Sequence, residues 1–254
     1  MRKIYWTILD IKTLTWRNLL RYRRIPQLVI FSTIQPVMFL LLFAYVFGGA
    51  IQIPGVDYIN YLIPAILVQS AIFGAIQTGV GLAEDANRGL IERFKSLPMS
   101  RSAVLAGRTI SDALRNVFVV ALMLVVGYFM GFRFEEGALS GLAAFGLVIL
   151  FGFAFSWIAA AIGLAVKNPE TAQVAGFIWV FPLVFASSAF VPIETMPAGL
   201  EAFARINPVT VTINSIRALT LGGDLAQPLA ESLTWILIIF TFAVPLAIYL
   251  YKRT

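Results

Sequence analysis

The 254-residue sequence contains no cysteine and no histidine. Disulfide staples, thiol nucleophiles and metal sites built on Cys or His are therefore excluded, as is imidazole acid–base chemistry near neutral pH. Charge is scarce as well. Only 13% of the residues are Asp, Glu, Lys or Arg, against roughly 25% in an average soluble domain. There is no Gly-x-x-x-x-Gly-Lys-Ser/Thr stretch, and hence no phosphate-cradling P-loop with which the chain could hydrolyse nucleotide itself. A cleavable signal peptide is not expected, because the chain up to Arg24 is too polar and too rich in Arg and Lys to form an apolar signal core.

What is abundant is apolar surface, with 59% of the residues hydrophobic. A soluble fold of this size would expose large apolar patches, so lipid is the solvent that fits. Six stretches carry no Asp, Glu, Lys or Arg: 25–56, 58–83, 116–132, 137–166, 171–193 and 232–251. Each reaches the roughly 17–25 residues needed to cross about 30 Å of hydrocarbon as a helix. Another candidate, 202–221, is interrupted by Arg205 and Arg217. Six spans place both termini on one side. With that side cytoplasmic, all basic residues except Arg133, Arg205 and Arg217 fall inside, the asymmetry that sets membrane orientation. The expectation is an all-α membrane protein, 1–254 forming one transmembrane domain, with six transmembrane helices and cytoplasmic N- and C-termini.

Three segments outside the spans stand out. In 1–24, Ile4, Ile8, Ile11, Thr15 and Leu19 recur at helical spacing among Arg and Lys, which reads as an amphipathic helix in the membrane interface. The cytoplasmic loop 84–108 contains GLIERFKSLPMSR over 89–101. Leu90, Ile91, Phe94 and Leu97 form its apolar side, and Leu97-Pro98 ends it because the residue before Pro avoids the α region. It reads either as a docking helix or as a solvated loop. The outer segment 194–231 has the stripe Leu200, Phe203, Ile206, then Pro208, then Val211, Ile213, Ile216 and Leu219, closed by Gly222-Gly223. This length suits a re-entrant helical hairpin that dips into the outer leaflet, either narrowing a path or merely capping the fold. Asp112 and Arg115, three apart at a cytoplasmic helix end, form a boundary pair on one face.

The stretches assigned as spans hold no titratable relay of the kind that ion-coupled transporters place in their membrane interior. A stand-alone channel or secondary transporter remains the alternative reading. A membrane enzyme is disfavoured by the lack of any catalytic pair. Uphill transport would need ATP handled by another chain.

The residues resemble the membrane subunit of type-2 ABC exporters, the daunorubicin-resistance-like permeases of bacteria. The most specific match is NPVTVTINSIRALTLGG over 207–223, similar to a family signature of Asn-Pro-x-Thr followed by an Arg and a closing Gly-Gly. SSAFVPIETMP over 187–197 looks like the family's end of span five, and GLIERFKSLPMSR like its coupling helix between spans two and three. One departure is Asn214, where many relatives carry Asp. The resemblance implies a multi-pass permease of the bacterial cell (inner) membrane, with a second permease subunit, identical or closely related. It also implies two copies of a cytosolic ABC ATPase, which would hold ATP and magnesium; no cofactor is expected in this chain and no nucleic acid as partner. Its cargo would be an amphipathic drug, lipid or glycolipid. ATPase coupling is assigned to Arg88, Gly89, Glu92, Arg93, Phe94, Lys95, Leu97 and Pro98, with Phe94 as an exposed anchor. An outside gate is assigned to Asn207, Pro208, Thr210, Arg217, Gly222 and Gly223, Asn207 capping the helix that Pro208 begins and Arg217 pairing with Glu201, Glu194 or lipid phosphate.

Overall fold

The computed structural model describes residues 2–49, 51, 55–96, 99 and 101–253. Ten α-helices follow one another, with no strand among the described residues: α1 (Arg2–Arg24), α2 (Gln27–Leu42), α3 (Tyr58–Asn87), α4 (Leu90–Lys95), α5 (Arg101–Phe129), α6 (Gly137–Val166), α7 (Pro169–Phe185), α8 (Ala198–Ile206), α9 (Pro208–Leu221) and α10 (Ala226–Arg253). A π-helical turn, Phe43–Phe47, extends α2, and a short 3₁₀ turn, Ile193–Thr195, precedes α8. Five helical segments are long and apolar enough to cross a membrane: Val29–Phe47, Tyr58–Asn87, Ala103–Phe129, Gly137–Val166 and Ala226–Arg253.

Two of the expected spans have different bounds. The third, expected at 116–132, belongs to a helix that begins at Arg101 and ends at Phe129. The charges that bounded it in the sequence, Arg108, Asp112 and Arg115, are buried within the helix bundle, so they do not stop the helix. The fifth, expected at 171–193, leaves helical geometry after Phe185. Its 17 residues span only about 25 Å at 1.5 Å per residue. Asn168 starts it, its side chain accepting from Thr171 N at 2.9 Å with Pro169 in the first helical position. At its end the Ser187 hydroxyl donates to the Val184 carbonyl (2.6 Å) and accepts from Ala189 N (3.2 Å), offering the backbone an alternative to continued helix.

α3 and α6 form the centre of the bundle and are buried along most of their length. They approach so closely that a Cβ at Gly163 would collide with the Gly79 carbonyl, and one at Gly79 with the Ala159 carbonyl. Small residues are what permit such backbone-to-backbone contact between helices in lipid. α7 and α9 pack on α3, α10 on α6, and α1 along α5.

The docking of α1 differs from the expected stripe. Leu14, Thr15 and Asn18 are buried and Ile11 packs on the core, while Ile8, Trp6 and Trp16 face outward. Thr15 Oγ1 and Asn18 Nδ2 both donate to the Gly107 carbonyl of α5 at 3.4 Å. A Cβ at Gly107 would lie 2.7 Å from the Leu14 Cβ, so this glycine sets the approach of the two helices. α1 thus turns its polar Thr and Asn inward against α5, where an exposed carbonyl answers them. Trp6, Ile8 and Trp16 face outward, toward an apolar surrounding.

Candidate functional site

The two ends of the bundle carry the residues singled out above. At one end, α4 follows a Gly89 with φ +67°, a left-handed turn that glycine adopts without a Cβ penalty. Ile91 is buried and Leu90 half-buried, while Arg88, Glu92 and Arg93 are exposed. Phe94 is not the exposed anchor expected from the sequence. It is half-buried against the core, with the Arg17 guanidinium of α1 4.8 Å above its ring, because α1 lies where solvent was assumed. Lys95 closes the helix backbone, and Leu97 and Pro98 lie outside the described residues.

From α4 a chain of ionic contacts runs inward. Arg88 and Arg21 hold the two oxygens of Glu84 at 2.7 and 2.8 Å, and Arg17 lies 4.0 Å from Asp85. Tyr22 donates its hydroxyl to Asp112. Burial, reinforced by that carboxylate, pushes the Tyr22 phenol up to about 12. The boundary pair is corrected. The ion-pair partner of Asp112 is Arg108, one turn back on α5, at 3.1 Å, rather than Arg115. Arg115 instead donates from Nη2 to the Gly74 carbonyl of α3 at 2.7 Å. Arg108 reaches Asp112 because Gly81 leaves space: a Cβ there would collide with the Arg108 guanidinium. The arrangement joins α1, α3 and α5, and its Arg108–Asp112 pair lies out of solvent, where truncating one partner is costly.

At the other end, four residues of α9 and its cap share one helical face: Asn207, Thr210, Asn214 and Arg217, spaced three, four and three apart. Asn207 accepts from Val209 N at 2.9 Å and so caps α9, with Pro208 in the first position. Its amide nitrogen also donates to the Leu183 and Ala186 carbonyls at 2.7 and 2.8 Å. These are end carbonyls of α7, which have no intrahelical donor. One side chain therefore closes two helix termini. Thr210 Oγ1 accepts from Ser188 N at 3.1 Å, and Asn214 Oδ1 from the Ser188 hydroxyl at 3.0 Å.

Arg217 pairs with neither Glu201 nor Glu194. Glu201 is taken by Arg205, whose Nε lies 3.0 Å away. The Arg217 fork donates to the Tyr61 carbonyl (3.0 and 3.1 Å), the Ser188 carbonyl (2.8 Å), the Ala189 carbonyl (3.4 Å), Ser188 Oγ (3.2 Å) and Asn214 Oδ1 (3.3 Å). Its guanidinium carbon sits 3.3 Å from the Tyr61 ring centroid. The planar five-donor group thus fastens α3, α9 and the irregular 187–189 segment together. Gly222 and Gly223, at φ +90° and +110°, end α9 in a conformation that L side chains rarely adopt. Their neighbour Thr220 receives Glu135 N at its carbonyl (2.9 Å), tying the α5–α6 connection to the hairpin.

An aromatic seam links the two regions. Phe43 stacks on Phe190 at 4.2 Å, Phe190 on Phe185 at 5.2 Å, Phe185 on Phe181 at 4.8 Å, and Phe73 meets Phe181 edge-on at 5.9 Å. The sequence offers the Phe residues of spans one, two and five as a group that could line a path, but ranks none of them. The signal was present in the four-residue spacing of Phe39, Phe43 and Phe47 and of Phe177, Phe181 and Phe185, which aligns rings on one helix face.

Comparison with known proteins agrees with this arrangement. The profile of the ABC-2 type transporter family matches residues 10–221. A daunorubicin resistance ABC transporter permease protein of Streptomyces coeruleorubidus is 35% identical over 207 residues, covering 82% of this chain and 73% of that one. A probable doxorubicin resistance ABC transporter permease protein of Mycobacterium tuberculosis is 28% identical over 237 residues, covering 92% and 85%. A putative transport permease of Cyanophora paradoxa is 28% identical over 225 residues, covering 85% and 75%. With a helix bundle of membrane-crossing length, an Asn-Pro-capped hairpin and a match across most of its residues, the chain belongs to the ABC-2 type transporter family, as a membrane permease subunit.

Proposed function

We propose that this subunit exports an amphipathic drug, lipid or glycolipid across the bacterial inner membrane, driven by a separate cytosolic ATPase that docks on α4. Its topology is six-pass with both termini in the cytoplasm. α7 is the shortest crossing, completed by the irregular 186–192 segment. α8 and α9 form a re-entrant hairpin on the outer side. Two such subunits pair, with two ATPase copies below them holding ATP and magnesium.

The observation that carries this reading is the route from α4 into the bundle. The exposed Arg88, Glu92 and Arg93 offer a charged docking surface, of the kind that sets register at an interface. Behind them, Phe94 under Arg17 connects α4 to α1, the Arg88–Glu84–Arg21 cluster connects α1 to the end of α3, and Tyr22 on Asp112 connects α1 to α5. A push on α4 would be passed to α1, α3 and α5 together, because these contacts are short and partly desolvated. At the far end, Arg217 and Asn207 hold the hairpin against α3 and α7 through backbone carbonyls. A tilt of α3 would therefore move the outer closure. The exposed stripe Leu200, Phe203 and Ile206 on α8 fits contact with lipid acyl chains or headgroups.

The test is co-purification of the ATPase with charge-reversal variants. Arg93→Glu with Glu92→Lys should cut recovery of the ATPase at least several-fold while leaving the membrane chain folded. Phe94→Ala should retain binding in part but lose cargo-stimulated ATP hydrolysis, because it severs the link to Arg17. Undiminished recovery and normal stimulation in both would remove α4 as the docking helix.

A further inference from the structure

A cavity of about 360 Å³ opens between α1, α2, α3 and α5, on the side of the bundle that carries α4. Its apolar wall includes Phe31, Phe39, Ile66 and Phe73. The polar part of its lining is mainly neutral amides and hydroxyls, and its charged members are mostly cationic. Arg21, Arg108 and Arg115 face it, with Glu84 as the acidic member. Arg21 is answered by Glu84 and Arg108 by Asp112. Among the described residues, no carboxylate lies within ion-pair distance of Arg115, although it is only 6% exposed. Its Nη2 is occupied by the Gly74 carbonyl, with Asn116 Oδ1 at 3.4 Å, while its buried Nε has no acceptor at all.

A second lining residue shows the same deficit. Gln69, five residues before Gly74 on α3, is 4% exposed, and its buried Oε1 has no donor. Leaving either atom unpaired is expensive, and more so for a charged group. Native interiors rarely tolerate such atoms unless something else completes them. Here the missing partners are chemically specific. The guanidinium needs an oxyanion, and the amide oxygen needs a hydroxyl or N–H. Both sit beside an aromatic wall.

We infer that this cavity binds an anionic amphipath, its phosphate or carboxylate on Arg115, a hydroxyl donating to Gln69 Oε1, and its apolar body along Phe31, Phe39 and Phe73. The position suits entry from the inner leaflet. Arg21 and Glu84 lie at the α4 end, where headgroups reside. α3 carries Gly74 and then Gln69 about 7 Å further along its axis. Phe31, 70% exposed on α2, stands at the open side. The inference deepens the export reading by naming the class of solute. It rests on that reading only in making the occupant the cargo, since the binding itself needs neither ATPase nor transport.

The test is direct binding to the purified full chain in dodecyl maltoside, read by native mass spectrometry. Three probes with defined sources of the chemistry are compared: dioleoyl phosphatidylglycerol, which carries both a phosphate and free hydroxyls, dioleoylglycerol and inorganic phosphate. Phosphatidylglycerol should bind at least about tenfold tighter than dioleoylglycerol, the effect of one charge-assisted contact. Inorganic phosphate in large excess should fail to displace it, because the apolar wall contributes. Arg115→Gln should abolish the preference for the phosphate-bearing lipid. Gln69→Leu, which removes an unpartnered atom and so should not harm folding, should weaken phosphatidylglycerol binding several-fold, because the headgroup hydroxyl loses its acceptor. Equal affinity for the two lipids, or full binding in Gln69→Leu, overturns the inference. Displacement by inorganic phosphate also overturns it, since the ligand would then be a soluble anion. Cargo-stimulated ATP hydrolysis by the assembled complex with none of these binding effects would leave the export reading standing and this one rejected.

Discussion

Replacing Arg217 by Met tests how the hairpin is held. Met preserves length and apolar bulk but removes the fork that donates to the Tyr61, Ser188 and Ala189 carbonyls. The Ser188 carbonyl keeps a second donor, the Tyr61 hydroxyl at 2.9 Å. The carbonyls that lose most are therefore those of Tyr61 and Ala189. At about 1–3 kcal/mol per stripped carbonyl, taken near the lower end because Arg217 is only partly buried, the loss is about 2–4 kcal/mol. For a chain of this size each kcal/mol moves the midpoint by about 2–4 °C, so unfolding in detergent should fall by roughly 4–16 °C. Lys should recover little, having a point charge and no planar fork. The assay is thermal unfolding followed by tryptophan fluorescence, with proteolysis of the 187–225 region as a local readout. A midpoint unchanged in both variants, with the hairpin equally protected, would refute the reasoning.

Other outcomes follow from the same contacts. Tyr22→Phe removes the hydroxyl that Asp112 receives and should cost about 1.5–3 kcal/mol, read as a lower unfolding midpoint at neutral pH. The Tyr22 phenol is raised from 10.0 to about 12 in the folded chain, so the folded state holds its proton more tightly. That contribution is complete below pH 10 and is lost as pH rises toward 12; a wild type and a Tyr22→Phe variant should therefore converge in stability across that window. Gly163→Val places a side chain against the Gly79 carbonyl and should abolish stable accumulation in the membrane, since backbone cannot yield as a side chain can. Asn207→Ala deletes a helix cap worth about 0.5–2 kcal/mol and two carbonyl ties. It should destabilise more than Thr212→Ala, whose hydroxyl meets only Ser232, at 2.8 Å.

How much of this was legible in the sequence depends on which force sets each feature. Lipid filters composition over whole segments, so the charge-free stretches 58–83 and 137–166 locate α3 and α6 well. The start of α5 was missed because counting charges assumes they face water, whereas Arg108, Asp112 and Tyr22 satisfy one another inside the protein. The end of α7 was missed for a related reason. Ser187 competes for backbone groups, an effect that average hydropathy does not register. The 3-4-3 spacing of Asn207, Thr210, Asn214 and Arg217 puts them on one helix face, and the Asn-Pro cap could be read directly. The target of that face, a carbonyl-rich bend some twenty residues earlier, could not be read, since nothing in local spacing points across that distance. Phe94 was assigned to solvent because α1, which covers it, is placed only by tertiary contacts.

The central claim is that the power stroke enters through α4 from a partner ATPase. Reconstitution in liposomes tests it most directly, by following an amphipathic fluorescent cargo with the chain alone under a proton or sodium gradient, and with its ATPase and ATP. Directional accumulation should occur only with the ATPase and hydrolysable nucleotide, and should be lost in the Arg93→Glu, Glu92→Lys variant. Accumulation by the chain alone, driven by either ion gradient, would contradict the account.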